Sequence, residues 1–87
     1  MKVTQTGQFK KDIKRQIKRG KNPSKVSDLL RYLLDGKDLP ESYQDHPLKG
    51  NWKDRRDCHI EPDWILIYRL TEDEIRFERT GSHSDLF

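Results

Sequence analysis

Between Asp45 and Leu70 the chain reads DHPLKGNWKDRRDCHIEPDWILIYRL, and two of its three histidines, His46 and His59, stand there among carboxylates and arginines. Imidazole is the one side chain whose ordinary titration falls near neutrality, so these residues can take up and release protons at working pH. Asp57 and Asp63 add two carboxylates within the same hairpin. Lys53, Arg55 and, further on, Arg79 can hold an anion. The third histidine, His83, follows after the apolar stretch. Such a set suits acid-base chemistry on a bound polyanion. RNA fits better than DNA, because its 2′-hydroxyl is a built-in nucleophile that one base activates while a second group protonates the leaving 5′ oxygen. For any one histidine a surface or capping role is the commoner case. Three beside carboxylates, with none in the helical half, shift the balance.

Other chemistries fit less well. Zinc, or iron on two histidines and a carboxylate, would need closer ligand spacing than this, and no H-x-H or H-x-x-x-H occurs. Cys58, the only cysteine, has Arg56 and Ile60 as its alternation partners, so it lacks a base and reads as a core thiol. The glycines never cluster into a phosphate loop. No metal and no cofactor is expected.

Strand alternation after Trp52 predicts Lys53, Arg55, Asp57 and His59 on one face, with Trp52, Arg56, Cys58 and Ile60 on the other. Glu61-Pro62-Asp63 is a turn, and Trp64 to Leu70 is an almost unbroken apolar strand. After a turn at Glu72-Asp73, Ile75 to Thr80 forms a third strand, with Ile75, Phe77 and Arg79 alternating against Arg76, Glu78 and Thr80.

The first half must position this hairpin. Met1 to Thr6 reads as a short edge strand. From about Gln8 to Arg19, Phe9, Ile13 and Ile17 make a narrow stripe on a basic helix that Gly20 closes. Asn22-Pro23 offers an N-cap with proline at the first helical position, and Val26, Leu29, Leu30, Leu33 and Leu34 complete the apolar template of a second, more deeply packed helix. Lys37 to Leu48 is a loop. The expected architecture is α+β: a short N-terminal strand and a two-helix hairpin on one face of a C-terminal antiparallel meander, with the opposite face partly polar and open at Asp57 and His59.

At 87 residues there is room for one domain, 1–87. Mean hydropathy is -1.11, yet Leu, Ile, Val and Phe together supply 20 of the 87 residues, and their periodicity argues for a fold over disorder. The net charge of +3 conceals an asymmetry: residues 10–21, KKDIKRQIKRGK, carry +6. Lys10, Lys11, Lys14, Arg15, Lys18 and Arg19 are therefore candidate contacts for a polyanion such as RNA, together with Lys53, Arg55 and Arg79. With no disulfide framework, no apolar leader in MKVTQTGQF and no run long enough to span a bilayer, a cytoplasmic protein without membrane contact is expected.

Two segments, DHPLxGxWxxxRDxHxEPDWILIY and RFERTGxH, together resemble the YafQ-like endoribonucleases within the RelE/ParE superfamily of toxins from type II toxin-antitoxin systems. The likeness is close over the C-terminal half and by pattern over the helices. It implies a RelE-like fold and metal-independent cleavage of messenger RNA in the ribosomal A site, leaving a 5′-hydroxyl and a 2′,3′-cyclic or 3′-phosphate. It also implies an active site of His46, Asp57, His59, Asp63, His83 and Phe87. In it His83 is the general acid and His46 the base. His59 and Asp63 orient the pair, Asp57 holds a tautomer, and Phe87 stacks on a base. The partners implied are the ribosome with its mRNA and an acidic, DNA-binding antitoxin encoded alongside, through which the pair binds operator DNA. A gyrase inhibitor of the ParE type is disfavoured by the histidine set. An inactive antitoxin-binding module stays open.

Overall fold

The computed structural model describes residues 1–87. Strand β1 (Lys2–Gln5) leads into helix α1 (Gly7–Lys18) and helix α2 (Ser24–Leu34). A short 3-10 turn at Glu41–Tyr43, strand β2 (His46–Pro47) and a second such turn at Gly50–Trp52 follow. The chain then runs through β3 (Arg56–Glu61), β4 (Trp64–Leu70), β5 (Glu74–Gly81) and the single turn of α3 (His83–Leu86). The sheet has five strands in the order β1-β5-β4-β3-β2. The meander is antiparallel as expected, and β1 joins its far edge parallel to β5, from Lys2 opposite Glu74 to Gln5 opposite Phe77.

Both helices pack on one face. Phe9, Val26, Leu29 and Leu33 meet Cys58, Trp64, Leu66, Tyr68, Ile75 and Phe77 in a single apolar cluster. α1 begins where Thr6 Oγ1 accepts the Phe9 N–H at 3.0 Å and itself donates to the Glu78 carbonyl at 2.7 Å, which fixes the helix to β5. It ends as the glycine signal requires, with Gly20 at φ +91°.

The apolar stripe of α1 differs from the i, i+4, i+8 reading. Its buried residues are Phe9, Asp12 and Gln16, while Ile17 is 47% exposed. A helix of 3.6 residues per turn brings i, i+3 and i+7 to the sheet, and a strict four-residue step drifts away from it. Asp12, 2% exposed, is paid for by three donors: Arg79 Nε at 2.8 Å, the Thr80 N–H at 3.2 Å and Gln8 Nε2 at 2.9 Å. In α2 the helix starts one residue later than proline at its first position would give. Pro23 is the cap, Asn22 Oδ1 accepts from the Ser24 N–H, and Leu34 is exposed.

The other face of the sheet is not open. Ile65 and Ile67 of β4 are fully buried under Leu86 of α3, with Leu48 and Trp52 packed against them. Asp57, expected to face a ligand, is only 4% exposed. The reason lies in β4 itself, apolar on both sides from Trp64 to Tyr68. Covering a side chain such as Ile65 or Ile67 is worth about 1.5–3 kcal/mol, so the chain folds a second cover from the segment that follows β2. For the same reason Trp52 lies on the Ile65 side and not with Cys58. Gly50–Trp52 is a 3-10 turn and Asp54 takes a left-handed φ of 68°, so alternation begins only at Arg56. Lys53 and Arg55 therefore precede the strand that carries Asp57 and His59. The expected loop before it also contributes β2, which pairs His46 with Asp57 in register.

The Asp12 network is a buried polar cluster between α1 and β5. Replacing Asp12 by Ala strands the Arg79 guanidinium and the Thr80 N–H, and should cost about 3–5 kcal/mol. Asp12→Asn, which keeps an acceptor, should cost less. Urea titrations read both, as a lower midpoint at unchanged slope.

Candidate active site

Each histidine is held through its Nδ1. On β2, His46 Nδ1 lies 2.9 Å from the Gln44 carbonyl, and Gln44 itself is in the left-handed region at φ 49°. At the end of β3, His59 Nδ1 lies 3.2 Å from the Pro62 carbonyl, within the same tight turn. At the start of α3, His83 Nδ1 lies 2.7 Å from Asp63 Oδ1, which also accepts the His83 backbone N–H at 2.9 Å. Oxygens of these kinds only accept, so Nδ1 carries the proton in all three. The His59 and His83 rings meet edge to face, with centroids 5.5 Å apart. Nε2 of His46 comes within 2.9 Å of Asp57 Oδ1, off the line of a hydrogen bond, and that buried oxygen has no other partner.

Five of the six expected site residues thus form two histidine–aspartate pairs, His46–Asp57 and His83–Asp63, with His59 against the second. Their carboxylates differ. Burial pushes the Asp57 carboxyl above its ordinary value, and the charges of His46 and His59 pull it back only in part. The backbone and ring donors of His83 hold Asp63 below its ordinary value at an exposed position. Phe87 is 60% exposed just beyond α3, and its N–H donates to the His83 carbonyl.

The cations divide into two groups. Lys10, Lys11, Lys14, Arg15, Lys18 and Lys53 are exposed. Arg79 is committed to Asp12, Arg55 leans on Glu78 at 3.4 Å, and Arg19 forks onto Asp85 at 2.6 and 3.2 Å. Cys58 is fully buried, and desolvation pushes its thiol up, which keeps it unreactive. No three His, Cys, Asp or Glu side chains converge as a metal site would need.

The family model for the bacterial toxin of type II toxin-antitoxin systems, YafQ, matches residues 1–87. The chain belongs to the YafQ family. It is 50% identical to the mRNA interferase toxin YafQ of Escherichia coli over 86 residues, 98% of this chain and 94% of that one. The crystal structure of the E. coli DinJ–YafQ complex contains a chain 50% identical with a TM-score of 0.90, covering 98% of this chain and 96% of that one. A copper-bound mutant toxin from Helicobacter pylori, 38% identical, superposes with a TM-score of 0.93 over 100% of this chain and 99% of that one. The YafQ likeness thus extends through the helical half, where sequence pattern alone was a loose guide.

Sequence reasoning missed what holds α3. Asp85 caps it reciprocally with Ser82 and receives Arg19 from α1. The pattern Ser82-x-x-Asp85 was a readable capping-box signal. The carbonyls of Gln44 and Pro62 left no signal, because any residue supplies one.

A raised carboxyl in the fold binds its proton more tightly than in the unfolded chain. Its stability contribution is therefore full below the unfolded value, near ~3.9, and is lost as pH rises through the folded value. Asp57→Asn removes that loss. The variant should melt a few degrees above the parent at pH 7, with the difference vanishing toward pH 3. Scanning calorimetry across this range checks it; a lower melting temperature at pH 7 would show that pairing with His46 dominates.

Proposed function

We propose that this YafQ-family chain is an mRNA interferase, an endoribonuclease that cleaves mRNA in the ribosomal A site without metal, by histidine acid-base catalysis. The observation that carries this is the pair of His–Asp units with opposite carboxylate environments. Asp63, held ionised, stabilises positive charge on His83, which suits a general acid whose free Nε2 faces outward. Asp57, buried and pushed toward its neutral form, grips the His46 imidazolium less firmly. With its Nδ1–H held by the Gln44 carbonyl, the neutral His46 ring keeps its lone pair on Nε2, which is the nitrogen that can serve as base. Two titratable pairs whose environments diverge are how one site provides both roles at one pH.

In the reaction the base takes the proton of the 2′-hydroxyl and the 2′ oxygen bonds to phosphorus. The bond from phosphorus to the 5′ oxygen breaks as His83 protonates that oxygen. The products are a 2′,3′-cyclic phosphate, which water can open to a 3′-phosphate, and a 5′-hydroxyl. His59, beside His83, would stabilise the charged phosphorane, and Phe87 would stack on a neighbouring base.

The exposed lysines of α1, with Arg15 and Lys53, would contact ribosomal RNA phosphates. A small acidic antitoxin, encoded alongside as DinJ partners YafQ in E. coli, would lie across the basic, histidine-lined face and carry the pair to operator DNA. No helix is long and apolar enough to cross a membrane, in keeping with action on cytoplasmic ribosomes.

His83→Ala should lower the cleavage rate by about 10² to 10⁴ with an unchanged circular dichroism spectrum. EDTA should leave the parent's chemistry intact once magnesium is restored for the ribosome. Full activity of the variant, or a strict need for another metal, would overturn the assignment.

Replacing Lys10, Lys11, Lys14 and Lys18 by Gln should weaken ribosome binding. The log-log salt slope should fall by about 0.7 to 0.9 for each phosphate contact removed. An unaltered slope would leave docking to Lys53 and its neighbours.

A further inference from the structure

His83 stands on a helix of one turn, and a helix that short has no stability of its own. Whatever clamps α3 therefore aims the imidazole. Asp85 is the centre of the clamp. Its carboxylate accepts Arg19 Nη1 at 2.6 Å and Nη2 at 3.2 Å, and the Ser82 N–H at 2.9 Å, while Ser82 Oγ accepts the Asp85 N–H at 3.2 Å. Gly81 leaves room for it. A β-carbon there would stand 2.8 Å from Asp85 Cβ and 2.9 Å from its Oδ2. From the other side Asp63 holds the ring and backbone of His83, and Leu86 is buried against Ile65 and Ile67.

Arg19 reaches this turn from the C-terminal end of α1, 66 residues away in sequence. It is bound as a fork, which fixes direction as well as distance. It also lies within electrostatic reach of Asp63, the carboxylate on the His83 ring.

We propose that Arg19 and Asp85 are positioning residues for His83, so that one cation of the basic helix serves the active site through an ion pair and not RNA directly. This rests on reading His83 as the general acid. The pair is partly exposed, Arg19 at 44% and Asp85 at 16%, and a surface bridge of this kind adds little to global stability. Its loss is therefore expected in the geometry of α3 and in turnover, with the melting temperature nearly unmoved.

The test compares Arg19→Gln, Arg19→Lys and Asp85→Asn, which keeps the cap acceptor, with His83→Gln and with Lys37→Gln as an exposed-charge control on another face. Two readouts are taken: kcat and KM on programmed ribosomes, and the His83 ring resonances of the isolated toxin by NMR. Arg19→Gln and Asp85→Asn should each lower kcat about tenfold, since ångström-scale misplacement costs up to about 10²-fold, with KM little changed. The His83 resonances should shift and broaden, and Arg19→Lys should recover part of both. Lys37→Gln should match the parent. If Arg19→Gln raises KM at constant kcat, Arg19 is an RNA contact and the proposal falls. Unmoved His83 resonances overturn it equally. Full activity of His83→Gln would sink the catalytic reading instead, while the resonances would still decide whether the clamp exists.

Discussion

Strand β4 is apolar on both sides, and that constraint orders the molecule. Trp64, Leu66 and Tyr68 need one cover and Ile65 and Ile67 another, and all five are buried. The two helices supply the first. The second is improvised from Leu48, Trp52 and Leu86, residues on short irregular segments on either side of the strand in sequence. The histidines are attached to this second cover: His46 just before Leu48, and His83 on the turn that ends with Leu86. The candidate site is thus a by-product of how the sheet hides its second face. His46 and His83 are exposed at the rim of this cover, and Asp57 is buried beneath it.

The helix–sheet interface adds a polar specification to this packing. Asp12 accepts from Arg79, Thr80 and Gln8, and Thr80 in turn accepts from Trp64 Nε1 at 2.9 Å and donates to the Ile65 carbonyl at 2.7 Å. A buried network of this kind is costly unless every member is matched, so it admits one register of α1 on the sheet. The register then determines where the far end of α1 points, and Arg19 meets Asp85 because Asp12 meets Arg79. Basic charge on α1 accordingly serves two purposes, exposed in its middle and structural at its end.

Much of this was legible in the sequence. The two helices, the meander and the turn at Glu61 to Asp63 follow from apolar period and turn chemistry, and the histidine set stood out by residue type alone. What could not be read is instructive. Asp12 was hidden in a basic run because a buried charge reveals itself only through its partner, and Arg79 lies far along the chain. The open second face was misread although β4's unbroken run already argued that both faces are covered. Alternation was projected back to Lys53 because nothing in Gly50 to Arg55 declares a 3-10 turn followed by a left-handed Asp54. Pairing of His46 with Asp57 needed β2, two residues long and below the reach of any periodicity.

The parallel pairing of β1 with β5 has a consequence for the order of folding. Lys2 to Gln5 find their partners only at Glu74 to Phe77, and Thr4 Oγ1 and Thr6 Oγ1 bond Glu74 Oε2 and the Glu78 carbonyl. Contacts of such sequence separation must wait for nearly the whole chain. During synthesis the N-terminal strand emerges first and has no partner strand while β5 is still inside the ribosomal tunnel. The nascent chain therefore carries an unpaired β1 until β5 emerges. Closure of the sheet at β1 therefore waits on β5, the last of its strands to be made.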